Sequence, residues 1–255
     1  MIFEDDAYYF LNFEENPCKR ARSYLALERE VNGETGRVMR FDSLSKIVSS
    51  GMRLGILTGP TLAVQKVVKI TENIKYVGRY SSSSSIANIR SLQPSSTTQV
   101  MALSLFRHWG YSGFIEHCVK AAAVYRRKRD TFAAAAERHL RGKATWDIPT
   151  AGMFFWLNLM LPPGTDSFAL LSKKGIDNRI LAIPGMAFLP NLRKATQIRA
   201  SYSLVSDADM DEACRRIAKL VEDAWRDHMT NAAAKSEARQ EERQVLMRAS
   251  RKVVA

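Results

Sequence analysis

A strand-like run, Arg37-Val38-Met39-Arg40-Phe41-Asp42, feeds directly into Ser43-Leu44-Ser45-Lys46-Ile47-Val48-Ser49-Ser50-Gly51-Met52-Arg53. This junction constrains the chain more than any other stretch. It sets one lysine among serines, with an arginine a short way on. An amine takes an aldehyde as a Schiff base. Hydroxyls and a guanidinium fork hold a phosphate. The segment therefore suits a phosphorylated aldehyde, delivered to the carboxyl end of a strand.

The rest of the composition narrows the class. A chain of 255 residues with an apolar fraction of 46% buries a full core and has room for one or two domains. No apolar run is long enough to span a bilayer, and Met153 to Leu161, the longest, holds Asn158 and reads as a strand. The N-terminus passes from Met1-Ile2-Phe3 straight to Glu4-Asp5-Asp6, without the basic and apolar regions of a secretory signal. Cys18, Cys118 and Cys214 are too widely spaced for a disulfide framework or a metal cluster. They read as buried thiols in a reducing compartment, and no metal is expected. The net charge of +12 is partly carried by the tail 226–255 and otherwise spread. Without zinc-finger spacing or an RNP-type motif, no nucleic-acid partner is expected, and no membrane.

Periodicity gives the order of elements. Met1 to Phe10 reads as a strand and Arg37 to Asp42 as a second. Pro60 to Asn73 is helical, with Leu62, Ala63, Val67 and Ile70 at helical spacing behind a proline. Ser95 to Trp109 reads as a helix broken by Gly110 and Gly113, and Phe114 to Leu140 as a long one with Phe114, Cys118, Ala121, Tyr125 and Phe132 near one face. Pro149 to Leu159 is aromatic and bounded by prolines, so a buried strand is expected. Ser206 with Asp209 is an acidic variant of the capping box, ahead of an apolar stripe of Met210, Ala213, Ile217, Leu220, Val221 and Ala224. Lys75 to Arg90, with the serine run Ser81 to Ser85, reads as a surface insertion. The tail after Trp225 favours helix by propensity but has no clear apolar stripe. His108, His117, His139 and His228 read as packing or surface residues.

Four elements then stand in fixed order: Asp5-Asp6-Ala7-Tyr8-Tyr9-Phe10, the Ser43 to Lys46 loop, Arg53, and Ile198-Arg199-Ala200-Ser201-Tyr202-Ser203. Together with Leu57-Thr58-Gly59-Pro60, Gln93-Pro94-Ser95-Ser96, Ala151-Gly152-Met153-Phe154-Phe155-Trp156 and Pro184-Gly185-Met186-Ala187-Phe188, they resemble the fold-type I, pyridoxal-phosphate-dependent class I/II aminotransferases. The likeness is greatest to the kynurenine/2-aminoadipate and fungal aromatic aminotransferases and runs from about residue 2 to about residue 225. It implies an α/β fold. Residues 1–113 would be the C-terminal portion of a large, mostly parallel-sheet domain that binds the cofactor, with an insertion at 74–90. Residues 114–225 would be a smaller α+β domain, followed by a basic tail, 226–255.

The resemblance also implies roles. Asp5 would keep the pyridine nitrogen of pyridoxal 5'-phosphate protonated, making the ring an electron sink. Tyr8 would donate to the ring's phenolate oxygen. Lys46 would be the Schiff-base lysine and, once freed, the proton carrier. Ser43 and Arg53 would bind the phosphate, and Arg199 the α-carboxylate of the amino acid through two parallel hydrogen bonds. Asp6, Tyr9 and Ser45 are the neighbouring candidates; the family pattern aligns on Asp5, Tyr8 and Ser43. The implied reaction exchanges an amino group between an aromatic or 2-aminoadipate/kynurenine-type amino acid and a 2-oxo acid, 2-oxoglutarate being the expected one. The implied assembly is a homodimer in the cytoplasm, a mitochondrial location staying open.

Two departures bear on this. The family's N-terminal half, with its phosphate cradle, the aromatic stacked on the ring and an Asn to the ring oxygen, has no counterpart here, so a raw sheet edge and exposed apolar surface are expected. Family members also run almost directly from a segment like Thr71-Glu72-Asn73 to one like Ser91-Leu92-Gln93-Pro94. Here Ile74 to Arg90 intervenes, which unspliced intron sequence or a recent insertion would explain, and an incomplete gene model or a degenerate copy is the expectation. A catalytically incomplete fragment serving as a dimerisation or regulatory partner is thus a second reading. A third, a serine acyl-transferase on Ser43-Leu44-Ser45-Lys46, lacks the Ser-Asp-Asn and Lys-Thr-Gly partners of the S-x-x-K motif.

Overall fold

The computed structural model describes residues 1–16, 19–77 and 95–253. Cys18, the serine run Ser81–Ser85, the Gln93-Pro94 match and all of the expected insertion beyond residue 77 lie outside them. The chain falls into two compact units, Met1–Arg126 with Thr150–Gly152, and Arg127–Pro149 with Met153–Ala255. The passage from one to the other lies within a single helix, further along it than Phe114.

The first unit is built on a β-α-β crossover. Strands β1 (Ile2–Asp5) and β2 (Val38–Ser43) run parallel, with Ile2 opposite Val38 and Asp5 opposite Phe41. A parallel pair needs a long connection, and helix α1 (Tyr24–Asn32) supplies it. Ser23 caps α1 by accepting from the Ala26 amide at 3.1 Å, and Gly33 closes it in the left-handed region at φ 68°. Periodicity alone predicts no helix here, although these two caps mark it. Strand β3 (Gly55–Thr58) returns antiparallel along β2, so the sheet order is β1-β2-β3.

The strand expected from Met1 to Phe10 stops at Asp5 and turns into a 3-10 turn over Tyr9–Leu11. Helix α2 (Thr61–Val77) starts behind Pro60 as expected. Helix α3 (Ser96–Leu140) joins the two helices expected on either side of Gly110 and Gly113. Gly110 does leave helical geometry, at φ 61° and ψ −171°. Gly113 stays inside the helix, where a Cβ would come within 3.2 Å of Trp109 Cβ, so the missing side chain serves packing.

Phe3 and Phe41 lie with ring centroids 6.3 Å apart, and both are exposed, as are Ile2 and Ile56. Among the described residues β1 pairs only with β2, and β3 only with β2. The raw edge and exposed apolar surface anticipated from the chain are therefore present.

The second unit is a four-stranded antiparallel sheet, β4 (Ala144–Trp146), β5 (Phe154–Leu159), β6 (Ile183–Pro184) and β7 (Gln197–Ser201), in the order β4-β5-β7-β6. In β5, Phe155, Leu157 and Leu159 are buried while Trp156 and Asn158 are exposed. The buried strand expected over this stretch is thus buried on one face only, as an antiparallel sheet covered on one side permits. Phe155 stacks on Phe132 of α3 at 4.5 Å and meets Tyr202 edge-on at 5.7 Å.

A short helix α4 (Ser167–Leu170), capped by Asp166, precedes helix α5 (Asp207–Val253). Ser206 Oγ accepts from the Asp209 amide at 3.1 Å and donates to its carboxylate at 2.6 Å, the capping arrangement expected there. Met210, Ile217, Leu220, Val221 and Ala224 then bury one stripe of α5. Among the described residues no helix is long and apolar enough to cross a membrane, and no cluster of His, Cys, Asp and Glu could hold a metal ion.

Candidate active site

Because β1 and β2 run parallel and in register, their carboxyl ends arrive side by side. Asp5 ends β1 and is exposed; Ser43 ends β2 and is half-buried. Asp5 is opposite Phe41, so Asp5, Phe41 and Ser43 share one face of the sheet, and Glu4, Arg40 and Asp42 share the other.

Lys46 closes the 3-10 turn Leu44–Lys46 that follows β2. The Leu44 carbonyl accepts from the amides of Ile47, Val48 and Ser49 at 3.3, 2.9 and 3.2 Å, which winds the loop tightly around Lys46. From α3, His117 Nε2 lies 2.7 Å from the Ile47 carbonyl oxygen, its ring stacked on Trp109 at 4.6 Å. A carbonyl only accepts, so this nitrogen carries the hydrogen. Lys46 Nζ sits 5.9 Å above the centre of the Tyr8 ring. Behind that ring lies Gly152, at φ 87°, with the position of a Cβ only 3.5 Å from the ring carbons. The Gly152 amide donates to the Leu11 carbonyl at 3.1 Å, and the Phe13 amide to the Thr150 carbonyl at 2.8 Å, so this segment backs the Tyr8 turn.

Arg53 is brought to the same loop by the antiparallel return of β3. Ser43 faces Gly55, and the Leu44 amide donates to the Leu54 carbonyl at 3.1 Å. Arg53 is exposed and holds a left-handed backbone at φ 52°, a strained state for a residue with a side chain and one that collects at ligand clamps. Beside Ser43 opens a mainly apolar cavity of about 480 Å³, lined by Ala7, Phe10, Asp42, Phe106 and Phe114 among others.

The five residues Asp5, Tyr8, Ser43, Lys46 and Arg53 therefore gather at the carboxyl ends of two neighbouring strands. Among the described residues Lys46 and Asp5 are in no ion pair. Asp6, beside Asp5, has its carboxyl raised above the ordinary aspartate value, by burial first and then by Glu4, Asp42 and Asp5, against the pull of Arg40. Arg199 belongs to the second unit. It lies in β7, half-buried, its guanidinium 4.2 Å from the Phe154 ring centre and 4.7 Å from that of Phe188. Trp156, opposite Arg199 in the sheet, meets Phe188 edge-on at 5.3 Å, so these aromatics frame the arginine.

No family model matches the chain. Individual relatives do. Over 222 residues it is 62% identical to aminotransferase tdiD of Emericella nidulans, covering 87% of this chain and 47% of that protein. It is 37% identical to the mitochondrial kynurenine/alpha-aminoadipate aminotransferase of Rattus norvegicus, covering 88% and 47%. Among solved structures, LysN, the alpha-aminoadipate aminotransferase of Thermus thermophilus complexed with N-(5'-phosphopyridoxyl)-L-leucine, superposes with a TM-score of 0.71 at 25% identity, over 88% of this chain and 51% of that one. Over nearly its whole described length the chain is similar to part of the pyridoxal-phosphate aminotransferases. It spans about half the length of the curated relatives it matches. Its α/β architecture is that of the C-terminal part of their fold.

Three residues near this candidate site carry no functional expectation from the sequence. His117, expected as a packing or surface residue, stacks on Trp109, and its bond to the lysine loop has no sequence signal. Gly152 was read only within a matching motif. Arg40 lies within the expected strand Arg37 to Asp42, whose charged residues at 37, 40 and 42 give no hint of its burial.

Proposed function

We propose that the chain is the lysine-bearing half of an aminotransferase that exchanges an amino group between an aromatic or 2-aminoadipate/kynurenine-type amino acid and a 2-oxo acid, with 2-oxoglutarate as the expected acceptor. The observation that carries the reading is the Lys46 amine over the Tyr8 ring, beyond the ends of β1 and β2, where Asp5 lies opposite Phe41 and Ser43 follows two residues on the same face. Such a junction, outside the carboxyl ends of neighbouring parallel strands, is where ligands of open α/β sheets bind.

The donor set fits pyridoxal 5'-phosphate. An amine and a carboxylate that make no ion pair among the described residues, a phenol, and a hydroxyl close in the chain to an arginine match its carbonyl, ring nitrogen, ring oxygen and phosphate. When bound, that group supplies a carbonyl for amines and an electron-withdrawing ring. Asp5 would hold a proton at the ring nitrogen. Tyr8 would donate to the ring oxygen. Ser43 and Arg53 would grip the phosphate. Lys46 would attach the group covalently and, when released, carry a proton to and from the substrate carbon. Arg199 would orient the substrate by its α-carboxylate. A homodimer in the cytoplasm is part of the same reading.

Borohydride reduction of the purified chain with pyridoxal phosphate, followed by peptide mapping, tests the assignment. A single pyridoxyl label on Lys46, lost in Lys46→Ala together with the yellow absorbance, is the expected result. Absorbance persisting in Lys46→Ala, or label spread over surface lysines, would refute it. The alternative reading is a catalytically incomplete chain that acts as a dimerisation or regulatory partner. Transamination by the chain alone, set against its mixture with a full-length relative, separates the two.

A further inference from the structure

Arg40 is the least expected group near this site. It sits mid-strand in β2 at 6% exposure, and a guanidinium buried that deeply is costly unless fully paired. Its fork takes the Asp42 carboxylate, Nε to Oδ2 at 3.0 Å and Nη2 to Oδ1 at 2.8 Å. Nη1 lies 3.3 Å from Glu4 and 3.7 Å from Asp6, at ion-pair distance but without hydrogen-bond alignment. The guanidinium carbon lies 4.5 Å from the centre of the Tyr9 ring. Glu4 in turn accepts from the Tyr24 and Leu25 amides at 2.8 and 3.3 Å, which ties in the start of α1.

The partners form a pattern. Asp6 adjoins Asp5, Tyr9 adjoins Tyr8, and Asp42 adjoins Ser43. Arg40 lies on the opposite face of the sheet from Asp5 and Ser43. It therefore grips the neighbours of three proposed cofactor contacts without facing the cofactor.

We propose that Arg40 is the positioning residue of this site, clamping the end of β1 to the end of β2 from the far face so that Asp5, Tyr8, Ser43 and Lys46 address one cofactor. The role rests on the aminotransferase reading above. A planar fork with several donors is required; a lysine point charge meets one carboxylate at a time and stacks poorly on Tyr9. Two strand ends that slip against each other by about 1 Å lose binding and rate far beyond the cost of the slip itself, on the order of a hundredfold.

The test uses the full chain, with Arg40→Lys, Asp42→Asn and, as a control destabilised elsewhere, Leu220→Ala from the core of the second unit. Hydrogen exchange is followed without ligand. Pyridoxal phosphate uptake is titrated by absorbance, with the pH midpoint of that absorbance. Arg40→Lys is expected to speed exchange at 6–10 and 43–48 together, weaken uptake by about tenfold or more, and shift the midpoint. Leu220→Ala is expected to lower the urea midpoint and leave all three unchanged. Should Arg40→Lys fail to fold, Asp42→Asn is expected to give the same paired response.

Wild-type affinity and midpoint in a folded Arg40→Lys chain overturn the proposal. So does exchange that rises at only one strand end, or across the whole unit as for a general loss of stability. If the wild-type chain takes up no pyridoxal phosphate, the aminotransferase reading falls, and the exchange at the two strand ends still decides whether Arg40 clamps them.

Discussion

Asp6 separates cost from function at a single position. Its folded-state carboxyl is raised above the ordinary value of 3.8, chiefly by burial, and Arg40 offsets that only in part. A raised carboxylate pKa means the folded chain holds the proton more tightly than the unfolded chain. Stability then falls as pH rises from 3.8 through the raised value, and the penalty is complete above it. Asp6→Asn, neutral at every pH, removes the penalty. The variant is expected to show a higher urea midpoint than wild type at pH 7, and the gain should vanish as pH falls below the carboxylate range. Parallel urea titrations at pH 7 and pH 3.5 check it. A lower midpoint at pH 7 would mean that the Asp6 charge is needed by Arg40 more than burial opposes it. Asp6 is partly exposed, so solvent screens the interaction and the gain should be modest.

At the scale of elements, β5 and α3 carry the second unit through one aromatic cluster. Phe155 is fully buried between Phe132 and Tyr202. Phe155→Ala removes both ring contacts and leaves a cavity that flanking strands cannot close, so a loss of about 3–5 kcal/mol is expected by denaturant titration. A loss under about 1 kcal/mol would show that the sheet collapses into the gap.

The same elements show what the chain made legible. The α5 cap and stripe were readable because Ser206, Asp209 and the apolar residues act locally, within one turn or one helix face. The Lys46 loop was readable because its chemistry is written in adjacent residues. Strand β3, the end of β1 and the one-sided burial of β5 were not, since each is set by a partner strand distant in the sequence. The role of Arg40 was hidden for the same reason. Its partners Glu4 and Asp6 reach it only after α1 has carried the chain across. Arg199 was read from its motif, but the Phe154 and Phe188 rings that frame it come from two other segments.

For the molecule as a whole, the sheet of the first unit sets behaviour in solution. Both of its outer strands lack a second neighbour among the described residues, and Phe3 is 66% exposed beside Phe41. An open, apolar strand edge is a template for pairing with other chains. The net charge of +12 opposes such contacts, and screening by salt weakens that opposition. The chain is therefore expected to associate more as ionic strength rises from low to physiological, the reverse of an assembly held by ion pairs. Phe3→Lys places a charge on that edge where no buried contact is lost. It should suppress light scattering at physiological salt and lower the fluorescence of an apolar dye, with the urea midpoint unchanged within about 0.5 kcal/mol, as for other surface substitutions. Association that weakens with salt, or that persists undiminished in Phe3→Lys, would place the contact on charged surface elsewhere in the chain and leave the β1 edge without a part in it.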